Sequence, residues 1–233
     1  TVLNGDSGRV LLKQLEKSGQ RSMTLAPEAG SEKLRRAINK PCSEEELVSA
    51  VRLLAEAGCV HLKLYLMFGL PGEEQEDLDD LVRMVEAARQ AVLGVHRGRG
   101  GTGRLSVSLN PFVPKPHTPL ADEAMPSLAE LKRRRSGLLK RLEGLGGVDV
   151  GGFSPRQARL QAVVDRAGSS LADLLEAADG RWPPPSHLLR KYLPDMNTIL
   201  EGAWRSRDQD DYRGVELGVD PRLLPRERER MMD

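Results

Sequence analysis

Two hydrophobic periods alternate along the chain. Short apolar or alternating runs predict strands at Arg21–Ala26, Val60–Phe68 and Arg104–Asn110. Apolar residues at helical spacing predict helices between and around these strands, from Gly8 to Gly19, Ser31 to Ile38, Ser43 to Gly58, Gln75 to Ala91 and Ser127 to Leu142. Because strand and helix follow each other in turn, the pattern predicts a parallel sheet with right-handed crossovers.

The helix that follows Pro41 has the clearest boundaries. Ser43 and Glu46 have the spacing of a capping box, and Cys42 and Leu47 have that of a hydrophobic staple. Gly58 stands where a helix ends in a left-handed residue. A single well-bounded helix therefore leads into the second strand.

Beyond Gly144 the pattern becomes mainly helical. VDVGGFS predicts a short strand, and Ser154-Pro155 predicts the start of a helix that reaches about Arg166. Further helices are expected from Gly168 to Gly180 and, as two segments, from Ser186 to Ser206. Charges alternate over residues 220–233 and predict a poorly ordered tail. We expect one domain over residues 1–143 and a helical C-terminal extension over 144–233.

Composition narrows the function classes. The chain has 233 residues, 35 basic against 34 acidic, and a net charge of +1, which disfavours a dedicated binder of nucleic acid or of an anionic membrane. It shows neither an apolar run of about 18 residues nor a signal-peptide pattern. We therefore expect a cytoplasmic protein. Its 2 cysteines are too few for a disulfide scaffold or a self-contained four-thiolate cluster.

Each predicted strand runs into a loop with unusual backbone chemistry: APEAGSE, FGLPGEE and NPFVPKPHTP. In parallel architectures such loops meet at one edge, where ligands bind. Glu28 is either a hydrogen-bond acceptor for a ligand or a carboxylate held near a helix N-terminus. Gly69 and Gly72 allow the main chain to approach a flat ligand, or form an ordinary Gly-Pro turn. The proline-rich loop either presents Lys115 or His117 to a ligand or closes the end of the barrel.

Three segments, in this order and spacing, resemble the second half of the radical S-adenosylmethionine (SAM) core: TLAPEAGSEKLRRAINK, HLKLYLMFGLPGEEQEDL and SVSLNPFVPKPHTPL. The resemblance covers about Ser18 to Leu120. The chain looks most like uncharacterised bacterial radical SAM proteins with a B12-binding-type or fused architecture. It is more distantly similar to the methylthiotransferase and coproporphyrinogen dehydrogenase branches. The resemblance implies an α/β fold, the C-terminal half of a partial (β/α)6 TIM-like barrel with parallel strands, followed by a mainly helical C-terminal extension.

The resemblance also implies a SAM site. Glu28 matches the acidic residue that contacts SAM after the fourth barrel strand, and Lys40 matches a basic residue implicated in binding the SAM carboxylate. Tyr65 stands where some relatives have a SAM-contacting aspartate. The other implied cofactor-binding residues follow the next two strands, whose motifs approach adenine in relatives: Gly69, Leu70, Pro71, Gly72, Glu73, Asn110, Phe112, Val113 and Lys115.

The family's Cys-x-x-x-Cys-x-x-Cys loop, which ligates a [4Fe–4S] cluster, is missing from this sequence. Cys42 and Cys59 flank a predicted helix and cannot replace it. We expect the cluster segment to lie upstream of Thr1, the alternative being a degenerate paralogue. The chain alone is then expected to be inactive and to aggregate through an unpaired strand edge and an apolar barrel interior.

The resemblance implies an enzyme that reductively cleaves SAM at the cluster to start radical chemistry. Its substrate, small molecule or macromolecule, is unknown, an electron donor is required, and cobalamin dependence is left open. The main alternative is a cluster-less, non-catalytic module that binds SAM, another nucleotide or a protein. A further alternative is an unrelated barrel lyase or hydrolase with Glu28 as its acid/base.

Overall fold

The computed structural model describes residues 5–98, 100–101, 103–166, 170–193, 200 and 222–232. The elements up to the last strand are α1 Asp6–Ser18, β1 Ser22–Glu28, α2 Glu32–Ala37, α3 Glu44–Glu56, β2 His61–Phe68, α4 Gln75–Arg97, β3 Arg104–Pro111, α5 Leu128–Gly144 and β4 Val148–Gly151. The helices described after it are α6 Pro155–Arg166, α7 Ser170–Ala178, α8 Ser186–Tyr192 and α9 Leu223–Met232. Not one of these described helices combines the length and the apolar character that a bilayer crossing requires.

The strands form one parallel sheet in the order β1-β2-β3-β4. Leu62 lies between Met23 and Leu105, and Leu105 in turn pairs with Val148. Each connection contains at least one helix, as parallel neighbours require. The predicted fold class is confirmed: the chain is α/β, with a parallel sheet that fits part of a TIM-like barrel and a helical region after it.

The described residues form two compact units. The first contains the described residues of 1–111 together with 132–153, and the second contains 112–131 and the described residues from 154 onwards. This division differs from the predicted boundary between residues 143 and 144. Residues 148–151 pair with β3 and therefore belong with the sheet, whereas the proline-rich loop belongs to the second unit.

Local signals set the ends of α3 as the sequence predicts. The Ser43 hydroxyl accepts a hydrogen bond from the Glu46 N–H at 3.1 Å, and the Glu46 carboxylate accepts one from the Ser43 N–H at 3.0 Å. Gly58, with a φ of 98°, reverses the chain after the helix. The capping box is confirmed, and it fixes where α3 begins.

The core lies on the side of the sheet that α3 and α4 cover. Alternate residues of β2 and β3 point to this side and are buried, whereas their neighbours are more exposed. Each buried leucine contributes about 1.5–3 kcal/mol relative to an exposed one. The buried set from strands and helices includes Leu62, Leu64, Leu66, Phe68, Leu105, Val107, Leu109, Val51, Leu54, Leu81 and Val85.

The opposite side of the sheet, called here the polar face, corrects an expectation. An apolar barrel interior was predicted, but period-two alternation places mostly polar side chains on this side. Tyr65 is 41% exposed. The polar face consists of Ser22, Thr24, His61, Lys63, Tyr65, Met67, Arg104, Ser106, Ser108, Asn110 and Asp149. The side-chain basis for the expected aggregation is therefore weaker than the sequence analysis assumed.

The end of the chain also differs from expectation. Residues 220–233 were predicted to be a poorly ordered tail, but α9 spans Leu223–Met232. Within the second unit, Arg228 of α9 contacts the Asp122 carboxylate at 3.2 Å and the Glu123 carboxylate at 3.0 Å. The sequence shows only that charges alternate in this segment, and it does not indicate that one of them pairs with carboxylates about a hundred residues away. The part of the predicted helices between residues 194 and 199 and beyond 200 lies outside the described residues.

Candidate functional site

The ends of the strands bring the predicted loops to one edge of the sheet. Glu28, the last residue of β1, pairs with Leu66, and Phe68 at the end of β2 pairs with Pro111 at the end of β3. Since all pairs are parallel, the segments after β1, β2 and β3 leave the sheet on the same side. The predicted convergence of these loops is confirmed at the level of the backbone.

Glu28 is held in an unusual conformation. The register between β1 and β2 shifts between Leu25 and Glu28, and Glu28 has a φ of 68°. Only a few per cent of non-glycine residues adopt such a value. Its carboxylate lies 3.3 Å from the Lys40 ammonium, with side chains 26% and 49% exposed. The structure thus pairs two residues that the resemblance implies are SAM contacts, and their contact with SAM stays a prediction.

Arg35 of α2 supports the loop that carries this pair. The side chain is buried, and it donates hydrogen bonds to the backbone carbonyls of Cys42 at 2.7 Å, Ala29 at 3.3 Å and Gly30 at 2.5 Å. One guanidinium therefore connects the segment after Glu28 with the segment after Lys40. Sequence reasoning missed Arg35, because an arginine beside another arginine in a short helix indicates a solvated surface.

Gly30 sets the distance between this loop and α4. A Cβ atom at Gly30 would lie 2.4 Å from the Asp77 carbonyl oxygen and 2.6 Å from the Leu81 Cβ atom. Real Cβ atoms do not come this close to backbone. The glycine is needed for close packing, which the sequence analysis did not derive for this position.

Asp77 ties α2 to the start of α4. Its carboxylate accepts hydrogen bonds from the Glu74 N–H at 2.8 Å and lies 3.3 Å from the Lys33 ammonium. Burial by itself raises the pKa of Asp77, but the hydrogen bonds from Glu74, the Ser31 hydroxyl and Lys33 outweigh it and hold this pKa below its ordinary value. The ionised carboxylate is therefore part of the folded structure.

Glu73, predicted to bind the cofactor, has protein partners instead. Its side chain is 2% exposed, accepts a hydrogen bond from the Gly69 N–H at 2.6 Å and contacts Arg134 of α5 at 2.8 Å. Burial raises the pKa of Glu73, although both contacts act in the opposite direction. The carboxylate closes the loop after β2 upon itself, so a direct role in ligand binding stays a prediction.

The backbone of this loop has the freedom that the sequence predicts. Gly69 and Gly72 have φ values of 82° and 70°, and the space around Gly72 is open. Leu70 is buried, whereas Pro71 is partly exposed. Main-chain groups at Pro71 and Gly72 are thus the part of this loop that a ligand could approach.

Asn110 is occupied at the end of β3. Its side-chain oxygen accepts a hydrogen bond from the Phe153 N–H at 2.9 Å, and its amide nitrogen donates to the Ser108 hydroxyl at 3.2 Å. These contacts bind the chain after β4 to the sheet. The predicted cofactor contact at Asn110, which concerned the backbone, stays a prediction.

The remaining predicted residues belong to the second unit. Phe112 is buried and Val113 partly so. Lys115 lies 3.2 Å from the Asp165 carboxylate of α6. The Lys115 ammonium thus has a carboxylate partner within the second unit, and its predicted contact with the cofactor stays a prediction.

The described residues do not fit an iron–sulfur cluster. Among them there is no group of three or more histidine, cysteine, aspartate or glutamate side chains that could hold a metal. Cys59 is buried and Cys42 partly so, and burial raises the pKa of both thiols, which disfavours the thiolate that iron requires.

A groove of about 790 Å³ lies elsewhere, between α3 and α4. Its lining includes Arg52, Gln90 and Gly94. Arg52 lies in the second half of α3, which leads to the start of β2, and Gln90 and Gly94 lie in the second half of α4, which leads to the start of β3. Glu28, in contrast, is at the end of its strand. The groove is therefore separate from the strand ends and has no part in the site.

The comparison with protein-family models gives a match that lies within the first unit. A sequence model of the radical SAM superfamily matches residues 2–85. An uncharacterised protein of Methanocaldococcus jannaschii is 34% identical over 117 residues, which is 50% of this chain and 22% of that protein. The ribosomal protein uS12 methylthiotransferase of Anaeromyxobacter sp. is 38% identical over 85 residues, 36% of this chain and 15% of that protein. An uncharacterised protein of Methanopyrus kandleri is 32% identical over 124 residues, 52% of this chain and 23% of that protein.

The match therefore spans less than a quarter of each of these relatives' own length. No solved structure matches the chain.

Proposed function

Because residues 2–85 of this chain belong to the radical SAM superfamily, we propose that the chain holds the amino acid end of S-adenosylmethionine in a radical SAM enzyme. The observation that carries the proposal is the ion pair between Glu28 and Lys40 at the end of β1. The two residues that the resemblance implies as SAM contacts lie together there, at the edge of the sheet where parallel architectures bind ligands.

The ion pair is complementary to an amino acid. SAM carries an α-ammonium and an α-carboxylate, and Glu28 can accept hydrogen bonds from the first while Lys40 donates to the second. Both side chains are partly exposed, so they can separate to take the ligand at little cost. Each new contact is a charge-assisted hydrogen bond, which is about twice as strong as a neutral one.

Other residues of the chain position this pair. Arg35 holds the backbone on both sides of it through carbonyl groups that it contacts inside the protein. The open main chain at Pro71 and Gly72 offers donors and acceptors for the adenine. In this role the chain binds and orients the cofactor, and Arg35 acts only through the loop.

The radical chemistry of the superfamily is supplied by SAM together with a [4Fe–4S] cluster. The described residues do not fit that cluster, so we propose the reaction only for the whole protein. Its substrate, its electron donor, cobalamin dependence and a cytoplasmic location likewise remain proposals. The methylthiotransferase activity in the name of one relative belongs to that protein.

The test is SAM binding to the full chain, measured by isothermal titration calorimetry. Glu28→Gln and Lys40→Met should each weaken SAM binding by about tenfold, because each removes a charged hydrogen-bond partner. The matched ligand is methylthioadenosine, which has the adenosine but lacks the amino acid end. Its affinity should stay within about twofold in both variants.

The matched control variant is Glu32→Gln. It removes a nearby carboxylate, at the start of α2, that pairs with Arg36 and not with Lys40. Unchanged SAM affinity in Glu28→Gln, or equal losses for SAM and methylthioadenosine, would contradict the proposal. An anaerobic assay of the gene's full-length product for 5′-deoxyadenosine then distinguishes a radical SAM enzyme from a non-catalytic binding module. Formation of this product supports the enzyme, whereas SAM binding without it supports the non-catalytic module.

A further inference from the structure

The polar face of the sheet contains a lysine. Lys63 is the third residue of β2 and lies between Thr24 of β1 and Ser106 of β3 in the register of the sheet. His61 and Tyr65 are its neighbours on the same side of β2, because side chains alternate along a strand. Lys63 is therefore surrounded by hydroxyl groups, one phenol and one imidazole.

The charge of Lys63 is not balanced within the described part of the chain. Its ammonium lies 4.9 Å from the centroid of the Tyr65 ring, and none of the described acidic side chains comes within ion-pair distance of it. Asp149, the acidic residue of the polar face, contacts Arg104 at 2.8 Å. A partly buried ammonium with a cation–π contact and no carboxylate is an attractive position for an anion.

The neighbouring groups are donors that a tetrahedral anion can use. The Ser106 hydroxyl lies 3.1 Å from His61 Nε2, and the phenol of Tyr65 is on an exposed side chain. Thr24 adds a hydroxyl from a third strand. Serine and threonine are small, so they leave room above the strands. Donors that arrive from three strands suit a phosphate better than a flat carboxylate, which arginine forks bind best.

We propose that the polar face binds the phosphate group of a small-molecule substrate. Lys63 is the cationic contact, and the hydroxyl groups of Thr24, Ser106 and Tyr65 are the hydrogen-bond donors. Assigning this phosphate to the substrate rests on the proposed function, because Thr24, Lys63 and Ser106 lie near the starts of their strands, whereas SAM would bind near the ends of the strands. The binding of phosphate itself depends only on the sheet.

The experiment is a titration of the full chain with inorganic phosphate at low ionic strength, followed by ³¹P line broadening. We expect a dissociation constant of about 1–10 mM for the isolated ion. Lys63→Met should weaken it by about tenfold, and Lys63→Arg by less than about threefold. The matched control is Lys17→Met in α1, which makes the same charge change at an exposed position and should leave the affinity unchanged.

A second variant keeps the proposal testable if Lys63→Met does not fold. Ser106→Ala with Thr24→Val removes two donors without changing charge, and should weaken phosphate binding by about fivefold with an unchanged melting temperature. Absence of phosphate binding to the wild-type chain, or equal affinities for Lys63→Met and Lys17→Met, would overturn the proposal.

SAM binding separates this proposal from the previous one. Lys63→Met should keep the SAM affinity, and Glu28→Gln should keep the phosphate affinity. Lys63 lies near the start of β2, whereas Glu28 ends β1. If phosphate binds through Lys63 but SAM does not bind the chain at all, the proposed function fails and the anion site stands. If SAM binds through Glu28 and phosphate does not bind, the anion site fails and the proposed function stands.

Discussion

Two glutamates near the ends of neighbouring strands differ in burial and in partners. Glu28, the last residue of β1, leads into the first loop, and Glu73 lies in the second loop, which follows β2. Glu28 is partly exposed and pairs with a lysine that is about half exposed. Glu73 is buried and is held by a backbone N–H and by Arg134. Both lie toward the carboxyl ends of neighbouring parallel strands, and their burial and partners distinguish them.

This difference separates a group that can change partners from one that cannot. Removing Glu73 from its contacts would leave a buried N–H without an acceptor, which costs about 1–3 kcal/mol. Exchanging the partner of Glu28 costs much less, since exposed ion pairs contribute about 0–1 kcal/mol. The carboxylate that leads into the first loop can therefore change partners, as the proposed SAM contact requires, whereas the carboxylate of the second loop holds that loop in shape.

The largest effect is expected where the first loop is supported from inside. Arg35→Met should lower the free energy of unfolding by about 3 kcal/mol, because three backbone carbonyls lose their buried donor. Urea denaturation measures the loss. Arg36→Met, at the exposed neighbour that pairs with Glu32, is the control and should cost less than about 1 kcal/mol. Equal losses in the two variants would show that Arg35 does not hold the loop.

A somewhat smaller effect is expected at the second loop. Glu73→Ala should destabilise the chain by about 2–3 kcal/mol, because it removes the acceptor of the Gly69 N–H and the carboxylate that Arg134 contacts. Glu76→Ala, at an exposed position in the first turn of α4, should stay within about 0.5 kcal/mol. A loss at Glu73 no greater than at Glu76 would remove the contrast between the two loops.

An effect of about 1–2 kcal/mol is expected at Asp77, which lies between the loops, together with a change in pH dependence. Because the folded state holds the pKa of Asp77 below the ordinary aspartate value of about 3.9, its contribution is present above that pH and is lost as the pH falls through the lower folded value. Asp77→Asn should abolish this part of the acid destabilisation. Urea denaturation of both proteins between pH 2 and 6 measures the difference. An unchanged pH slope would argue against an ionised Asp77 in the fold.

The smallest effect on stability is expected at Glu28. Glu28→Gln should change the free energy of unfolding by less than about 0.5 kcal/mol, because the pair with Lys40 is partly exposed. The same variant is the one expected to weaken SAM binding. A stability loss as large as that of Glu73→Ala would indicate that Glu28, too, is structural.

Short-range patterns predicted most of the first unit. Ser43 and Glu46 interact within one helical turn, and the alternation around Leu64 depends only on neighbours in sequence, so both are readable without a fold. The resemblance to the radical SAM superfamily is confirmed by the match over residues 2–85, which contain the first two of the three segments that carry it. The structure pairs Glu28 with Lys40, and their contact with SAM stays a prediction.

Contacts between distant segments were not predictable. Nothing near Glu73 in the sequence indicates Arg134, and nothing near Asp122 indicates Arg228. For the same reason α4 was expected to end near Ala91, whereas it continues to Arg97 because His96 is buried and contacts the Cys59 carbonyl at 3.1 Å. A partner that is distant in the sequence can bury a polar residue that the local pattern predicts to be exposed, and the local pattern carries no information about that partner.

The close contact at Gly30 has a consequence for variation at this position. A single added methyl group would collide with the backbone of α4, so even alanine is too large there. At Gly72 a Cβ would meet open space, and only its positive φ opposes substitution. Asparagine, which tolerates that conformation best after glycine, is thus acceptable at residue 72 and excluded at residue 30. A library of variants selected for folding should therefore be invariant at one glycine and variable at the other.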